Sequence, residues 1–301
     1  MRWDKALNYL IAIFLCLNIL LAVVHYERYT TTYKVSEEQI DTVISILEKQ
    51  AIEVKADLPI SFAPRPSLWI EPIEVTTTLR DQLINSLLGE DRSRITITNE
   101  SSTQEYGKNV LIYSMEEKQL KFYNDKITYS NAGIDKATNN LSYKEALKYA
   151  KAFIKQINME EYFSEVKIDY RSESYGATVT YYKVYRGLPI FDSYVKMELL
   201  PGGIFEAEIK CLKITDKVGP MKPLYPIDQV LFGLQDLDLG DGGYTIEAVE
   251  LGYRLNNAEG MHILSEEAVP MYKIKIKGLS APVFVNAYTN TYEEILFISQ
   301  D

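Results

Sequence analysis

Histidine and cysteine are nearly missing from this chain, two of each in 301 residues, and that scarcity narrows the chemistry it can host. Metal binding and imidazole catalysis need clustered histidines, whereas His25 and His262 are too far apart in sequence to form a two-His site by spacing. Cys16 falls inside an apolar run, so no intrachain disulfide with Cys211 is expected and packing alone must hold the fold. The alternation Ile209 to Ile214 makes Cys211 an expected core position with an inert thiol. No H-x-x-x-H, paired C-x-x-C, Walker A or G-x-S-x-G sequence occurs. Cysteine scarcity suits extracytoplasmic and cytosolic proteins alike and does not decide the compartment.

Positive charge is also short. Thirty-two Lys and Arg stand against 42 Asp and Glu, and beyond residue 24 the balance is about −11. Such a body repels phosphates, which disfavours nucleic acid and anionic lipid surfaces as partners. The many acids form adjacent pairs, Glu37-Glu38, Glu116-Glu117, Glu160-Glu161, Glu266-Glu267 and Glu293-Glu294. A glycosidase needs a set separation between two carboxyl groups, and adjacency does not supply it. Neighbours on a strand point to opposite faces, so these pairs read as solvated edges. Asp236, Asp238 and Asp241 beside Gly240, Gly242 and Gly243, with Glu247 at the twelfth position from Asp236, superficially resemble a calcium loop. Their spacings of two and three, with Glu247 in an expected strand, favour a polar turn. No catalytic residue, metal or cofactor is expected, and the chain does not read as an enzyme.

The chain has one long apolar run. From Ala6 to Val24 nineteen residues carry no charge, which spans roughly 28 Å and matches a bilayer core. Arg2 and Lys5 precede it, against one Asp4, and the positive-inside bias puts residues 1–5 in the cytoplasm and the body outside. The run exceeds a usual signal-peptide core, no A-x-A-like site follows it, and Cys16 lies mid-segment rather than at the end of a lipobox. The expectation is a cell-membrane protein anchored by a single-pass helix, 6–24. Asn8, Ala12, Leu15, Ile19 and Ala22 share one helical stripe, flanked by Asn18; its small and polar members suit contact with another helix, although single asparagines are also tolerated by tilting or snorkelling.

Twenty-three tyrosines, with Ile, Val and Thr, suit half-buried sheet surfaces, so the expected class is α+β and β-rich. Capping boxes at Ser36/Gln39 and Ser142/Glu145 open helices over 37–51 and to about Ile157, and Leu79 to Leu88 forms another. The prolines 59, 64, 66 and 72 are expected to break regular structure. Strands are expected at 94–98, 109–115, 118–123, 126–130, 165–172, 177–186, 193–200 and 203–214. A helix near 226–235 follows, then strands at 244–254, 269–277, 282–288 and 292–299. The second half thus reads as one helix and antiparallel strands, twice over: Tyr182-Lys183-Val184 leads to Gly187 as Tyr272-Lys273-Ile274 leads to Gly278. A boundary at 132–140 separates a membrane-proximal α+β domain, 25–135, from a two-module region, 140–301.

Particular stretches resemble a known family. Met1-Arg2-Trp3-Asp4-Lys5-Ala6, running into Phe14 to Ala22, looks like the start of YycI-type proteins. Gly187-Leu188-Pro189-Ile190-Phe191, Val249-Glu250-Leu251-Gly252-Tyr253, Pro270-Met271-Tyr272 and Val285-Asn286-Ala287-Tyr288 resemble the C-terminal modules shared by YycI and YycH regulatory proteins. The resemblance covers 1–24 and about 140–301, and the length suits YycI. It implies a bitopic accessory protein of the two-component system of the YycG (WalK) sensor histidine kinase, tuning control of cell-wall metabolism, with a YycH-like protein as a further partner. It implies no catalytic residues, and it makes the Asn8 to Ala22 stripe a partner contact. The alternative is that the helix-plus-sheet modules resemble PepSY-like folds that dock or inhibit a peptidase or capture a cell-wall ligand.

Overall fold

The computed structural model describes residues 3–101, 109–134, 141–234, 243–256, 266–279 and 281–293. They form a mixed α+β protein in which an apolar N-terminal helix precedes a body dominated by sheet. The body comprises two compact units. One holds Met1–Pro66, Pro220–Leu251 and Pro270–Asp301; the other holds Ser67–Gly219 and Gly252–Val269.

The second unit is built on an antiparallel ladder. Its first half is a meander of β3 (Thr96–Ser101), β4 (Asn109–Met115), β5 (Lys118–Phe122) and β6 (Ile127–Asn131). Its second half is β7 (Val166–Glu173), β8 (Gly176–Tyr185), β9 (Leu188–Leu200) and β10 (Gly203–Lys210), and β6 pairs with β10 to join the halves. Tight turns set the register. Arg186 and Gly187 both have positive φ, 48° and 82°, between the paired Tyr185 and Leu188, the backbone that a two-residue hairpin of matching twist requires.

α3 (Thr77–Leu87) and α4 (Tyr143–Gln156) cover this ladder. In α4 the Ser142 hydroxyl accepts the Glu145 amide hydrogen while the Glu145 carboxylate accepts that of Ser142, which satisfies two amides left open at the helix start. Ala146, Ala150, Phe153 and Ile154 then recur on one face and are buried with Val179, Val195, Met197 and Ile209.

Two strand expectations are corrected. The proline-rich stretch contains β2 (Arg65–Pro72), whose Leu68 to Ile70 pair with Ala268 to Glu266 of β13 (Glu266–Ile276). Its prolines stand at the second and last positions, where a missing amide hydrogen costs the ladder least, and Leu68 and Ile70 between them are buried. The expected strand 203–214 is instead β10 and β11 (Leu212–Lys222), broken at Cys211. There the Leu212 amide leaves the β9 ladder to donate to the Ser193 hydroxyl, and the Cys211 carbonyl accepts the Ile73 amide hydrogen. The chain thereby changes partner from β9 to β2.

The first unit contains α1 (Trp3–Thr32), α2 (Glu37–Glu48), α5 (Ile227–Gly233) and β14 (Val283–Asn286), with α2 packed against α5. β1 (Ile52–Val54) runs parallel to the start of β12 (Tyr244–Leu255), and β14 pairs antiparallel with Met271 to Ile274 of β13. Gly278, at φ 92°, repeats the positive φ of Gly187 at the corresponding place after its strand.

Candidate functional site

α1 is the one element of its kind among the described residues. Within it lies Ala6–Arg28, 23 residues whose most apolar stretch has a mean hydropathy of 2.5 and is nowhere buried against the rest of the chain. At 1.5 Å per residue this covers about 34 Å, enough to cross a bilayer core. Trp3 and Tyr26 project near its ends, 79% and 70% exposed, where amphipathic rings favour an interface. The helix is thus a candidate membrane anchor.

Asn8, Ala12, Leu15, Asn18, Ile19 and Ala22 are all exposed, on a single unbroken helix that brings them to neighbouring positions along one side. The Asn18 side-chain amide donates to the Phe14 carbonyl at 2.8 Å. One of its hydrogens is therefore satisfied inside the helix, which lowers the cost of placing this amide in hydrocarbon.

The helix meets the first unit without a spacer. Directly after Thr32, the Tyr33 carbonyl accepts the Phe62 amide hydrogen at 3.0 Å and the two rings stand edge to face, centroids 5.8 Å apart. Lys34 forms a β-bridge with Ser61, Val35 donates to the Ile60 carbonyl at 2.9 Å, and the Val35 side chain is buried. Ser36 then caps α2.

The four C-terminal stretches that carry the family resemblance resolve into two couples. In the second unit, Tyr253 bridges Ile190 in parallel, and a Cβ on Gly252 would lie 2.6 Å from ring carbons of Phe191 and 2.7 Å from the Pro189 carbonyl oxygen. A bare glycine is what lets this strand approach Pro189 and Phe191. In the first unit, Met271 and Tyr272 pair with Asn286 and Val285, and the Ala287 amide donates to the Pro270 carbonyl. Tyr272 and Tyr288 then donate their hydroxyl hydrogens to the carbonyls of Tyr225 and Arg65. These residues position backbone; no proton-transfer or nucleophilic arrangement is built from them.

Sequence reasoning missed the polar cluster at the Cys211 break. Tyr162 donates to the Leu212 carbonyl and lies 2.8 Å from the Ser193 hydroxyl, with Lys183 Nζ 3.7 Å from the Tyr162 ring centroid. Burial raises the Tyr162 hydroxyl, lowers the Lys183 ammonium, and pushes the Cys211 thiol up to about 12 despite the opposing influence of Lys183. Cys211 faces Met159, sulfurs 3.9 Å apart, and packs against the core. A thiol so shifted stays protonated at neutral pH and offers no thiolate.

Of the remaining expectations, Glu247 forms an ion pair with Lys275 at 2.9 Å, while Asp236, Asp238, Asp241, Gly240, Gly242 and His262 lie outside the described residues. Glu116 pairs with Arg94, and His25 is exposed near the end of α1. Among the described residues no group of three or more His, Cys, Asp or Glu is placed to hold a metal ion.

No protein-family model matches the chain, and no curated protein matches it. Solved structures do. An uncharacterized protein from Eubacterium rectale is similar over 81% of this chain and 91% of its own, with TM-score 0.55 at 10% identity. The fold is shared at that level, and the likeness speaks of fold alone. The YpeB C-terminal domain of Bacillus megaterium is similar at TM-score 0.41 and 17% identity, over 73% of this chain and 96% of its own. YycH from Bacillus subtilis is similar at TM-score 0.45 and 11% identity, over 76% of this chain and 55% of its own.

Proposed function

We propose that this protein is a membrane-anchored, extracytoplasmic accessory regulator that binds a sensor histidine kinase of the YycG (WalK) type and modulates its control of cell-wall metabolism, without catalysis of its own. The observation that carries the reading is α1: an apolar helix long enough to cross a bilayer, with none of its most apolar stretch buried against the rest of the chain, and bearing the stripe Asn8, Ala12, Leu15, Asn18, Ile19 and Ala22. Helices in lipid associate through small residues and interhelical hydrogen bonds rather than through apolar burial. A stripe of that composition therefore favours contact with another membrane helix. The resemblance to YycI-type proteins, which begins at this helix, supplies the class of partner, with a YycH-like protein as a second.

The test is replacement of residues 6–24 by an unrelated apolar span of equal length. Kinase co-purification and kinase output are both expected to fall at unchanged protein level. Unchanged association and output would remove the membrane contact from the mechanism.

A second reading, a PepSY-like module that docks or inhibits a peptidase or binds a cell-wall ligand, is favoured by the recurrence of helix plus antiparallel strands in α4 with β7–β10 and in α5 with β13 and β14. Dose-dependent inhibition of a secreted peptidase by the detergent-solubilised chain would support it.

A further inference from the structure

Anchored ectodomains are commonly joined to their membrane helix by a stretch of chain free to swivel, and a chain of even a few unpaired residues decouples the two ends. Here there is no such stretch. Three residues, Tyr33 to Val35, separate the last residue of α1 from the cap of α2, and all three are fastened to the segment Ile60 to Phe62.

The fastening is of several kinds. Backbone hydrogen bonds run in both directions: Phe62 donates to Tyr33 and Val35 donates to Ile60. The rings of Tyr33 and Phe62 stack edge to face. Val35 is 4% exposed, so turning the joint would draw an apolar side chain into water. On the helix side, the Thr31 hydroxyl bonds the Glu27 carbonyl, and on the body side the Ser36 and Gln39 side chains close the first turn of α2. An α-helix is itself stiff over the length of α1, so restraint applied at Tyr33 reaches the stripe residues as a fixed rotation about the helix axis.

We propose that Tyr33–Val35 is a transmission joint: the first unit fixes the rotation and tilt of α1, so a change in that unit's orientation at the membrane surface turns the stripe by the same angle. The joint does not depend on which protein α1 meets. It converts the first unit from cargo on an anchor into a lever on the membrane helix, and it makes the α1 to α2 phase, rather than the span's composition alone, a determinant of which helical face is presented.

The test uses the full chain in lipid nanodiscs with spin labels at Cys16 in α1 and at Ser45→Cys on the exposed side of α2, in a Cys211→Ser background. Three chains are compared by pulsed dipolar distance measurement: the parent, one with a single Ala inserted between Thr31 and Thr32, and one with Gly-Ser-Gly-Ser inserted between Thr32 and Tyr33. Neither insertion touches the packed body. One added helical residue turns everything before it by about 100° and moves it by roughly 1.5 Å. The parent is expected to give a narrow distribution, the Ala insertion an equally narrow one with a displaced mean, and the flexible insertion one at least twice as broad. A parent distribution as broad as that of the Gly-Ser chain overturns the proposal, as does an Ala insertion that leaves the mean in place. Loss of kinase association without change in these distances would count against the proposed partner and not against the joint.

Discussion

The Ser193 hydroxyl oxygen accepts the Leu212 amide hydrogen at 3.1 Å from a position with no solvent exposure, and in doing so it holds the point where the chain leaves one ladder for another. Ser193→Ala removes this acceptor and strands a buried amide, and the Tyr162 hydroxyl loses a neighbour as well. The expected cost is about 1–3 kcal/mol, read as a lowered urea midpoint of the second unit in the detergent-solubilised chain. Ser193→Thr, which keeps the hydroxyl, should recover part of it.

A second network titrates. Glu208 accepts from Tyr194 and pairs with Lys126 at 2.9 Å. Burial by itself would raise its carboxyl; the hydrogen bonds from Tyr194 and Lys126 outweigh that and leave it below the usual glutamate value. A carboxyl depressed in the folded state contributes stability that is fully present above the unfolded value and is lost as pH falls through the folded one. Glu208→Gln should therefore destabilise by about 1 kcal/mol at pH 7, a figure kept small because both partners are partly exposed, and the difference should shrink below pH 4. Unfolding midpoints of the two chains between pH 3 and pH 7 measure it.

Cys211 should resist alkylation. With its thiol pushed up to about 12, the thiolate at pH 8 is scarce, and labelling by iodoacetamide is expected to be at least about a hundredfold slower than in the urea-unfolded chain. Mass spectrometry of the peptide containing residue 211 gives the ratio.

Two glycines within the stretches of family resemblance differ in kind. Gly252→Ala places a Cβ against the Phe191 ring and the Pro189 carbonyl and should cost about 2–3 kcal/mol through overpacking. Gly187→Ala meets open space but must hold φ near 82°, a backbone penalty of roughly 1 kcal/mol. Thermal unfolding should rank the two accordingly.

Much of this fold is legible in the amino-acid pattern, because strong local rules hold. The Ser36 and Ser142 boxes open α2 and α4 as expected, and the strand alternations from 109 to 200 match β4 to β9 closely, apart from an earlier start for β9. What the pattern hides is non-local. β2 carries prolines that argue for a loop, and only its partners β11 and β13 make it a strand. The division at Cys211 depends on Ser193, nineteen residues before Leu212, and no pattern in 203–214 reveals it. The apolar helix is legible because its composition alone sets its length, whereas the joint at Tyr33–Val35 is not, since its restraint comes from Ile60 to Phe62. The stretches of family resemblance are legible as words and not as a pairing.

The central claim is partnership with a sensor kinase, and the most direct measurement is affinity capture of the tagged full-length chain from mildly solubilised native membranes, quantified by mass spectrometry against a chain whose residues 6–24 are exchanged for an unrelated span. A histidine kinase with an extracytoplasmic domain should be enriched at least about tenfold with the native span and lose most of that enrichment with the exchanged one. Capture that returns no histidine kinase above the background of an untagged strain would contradict the account.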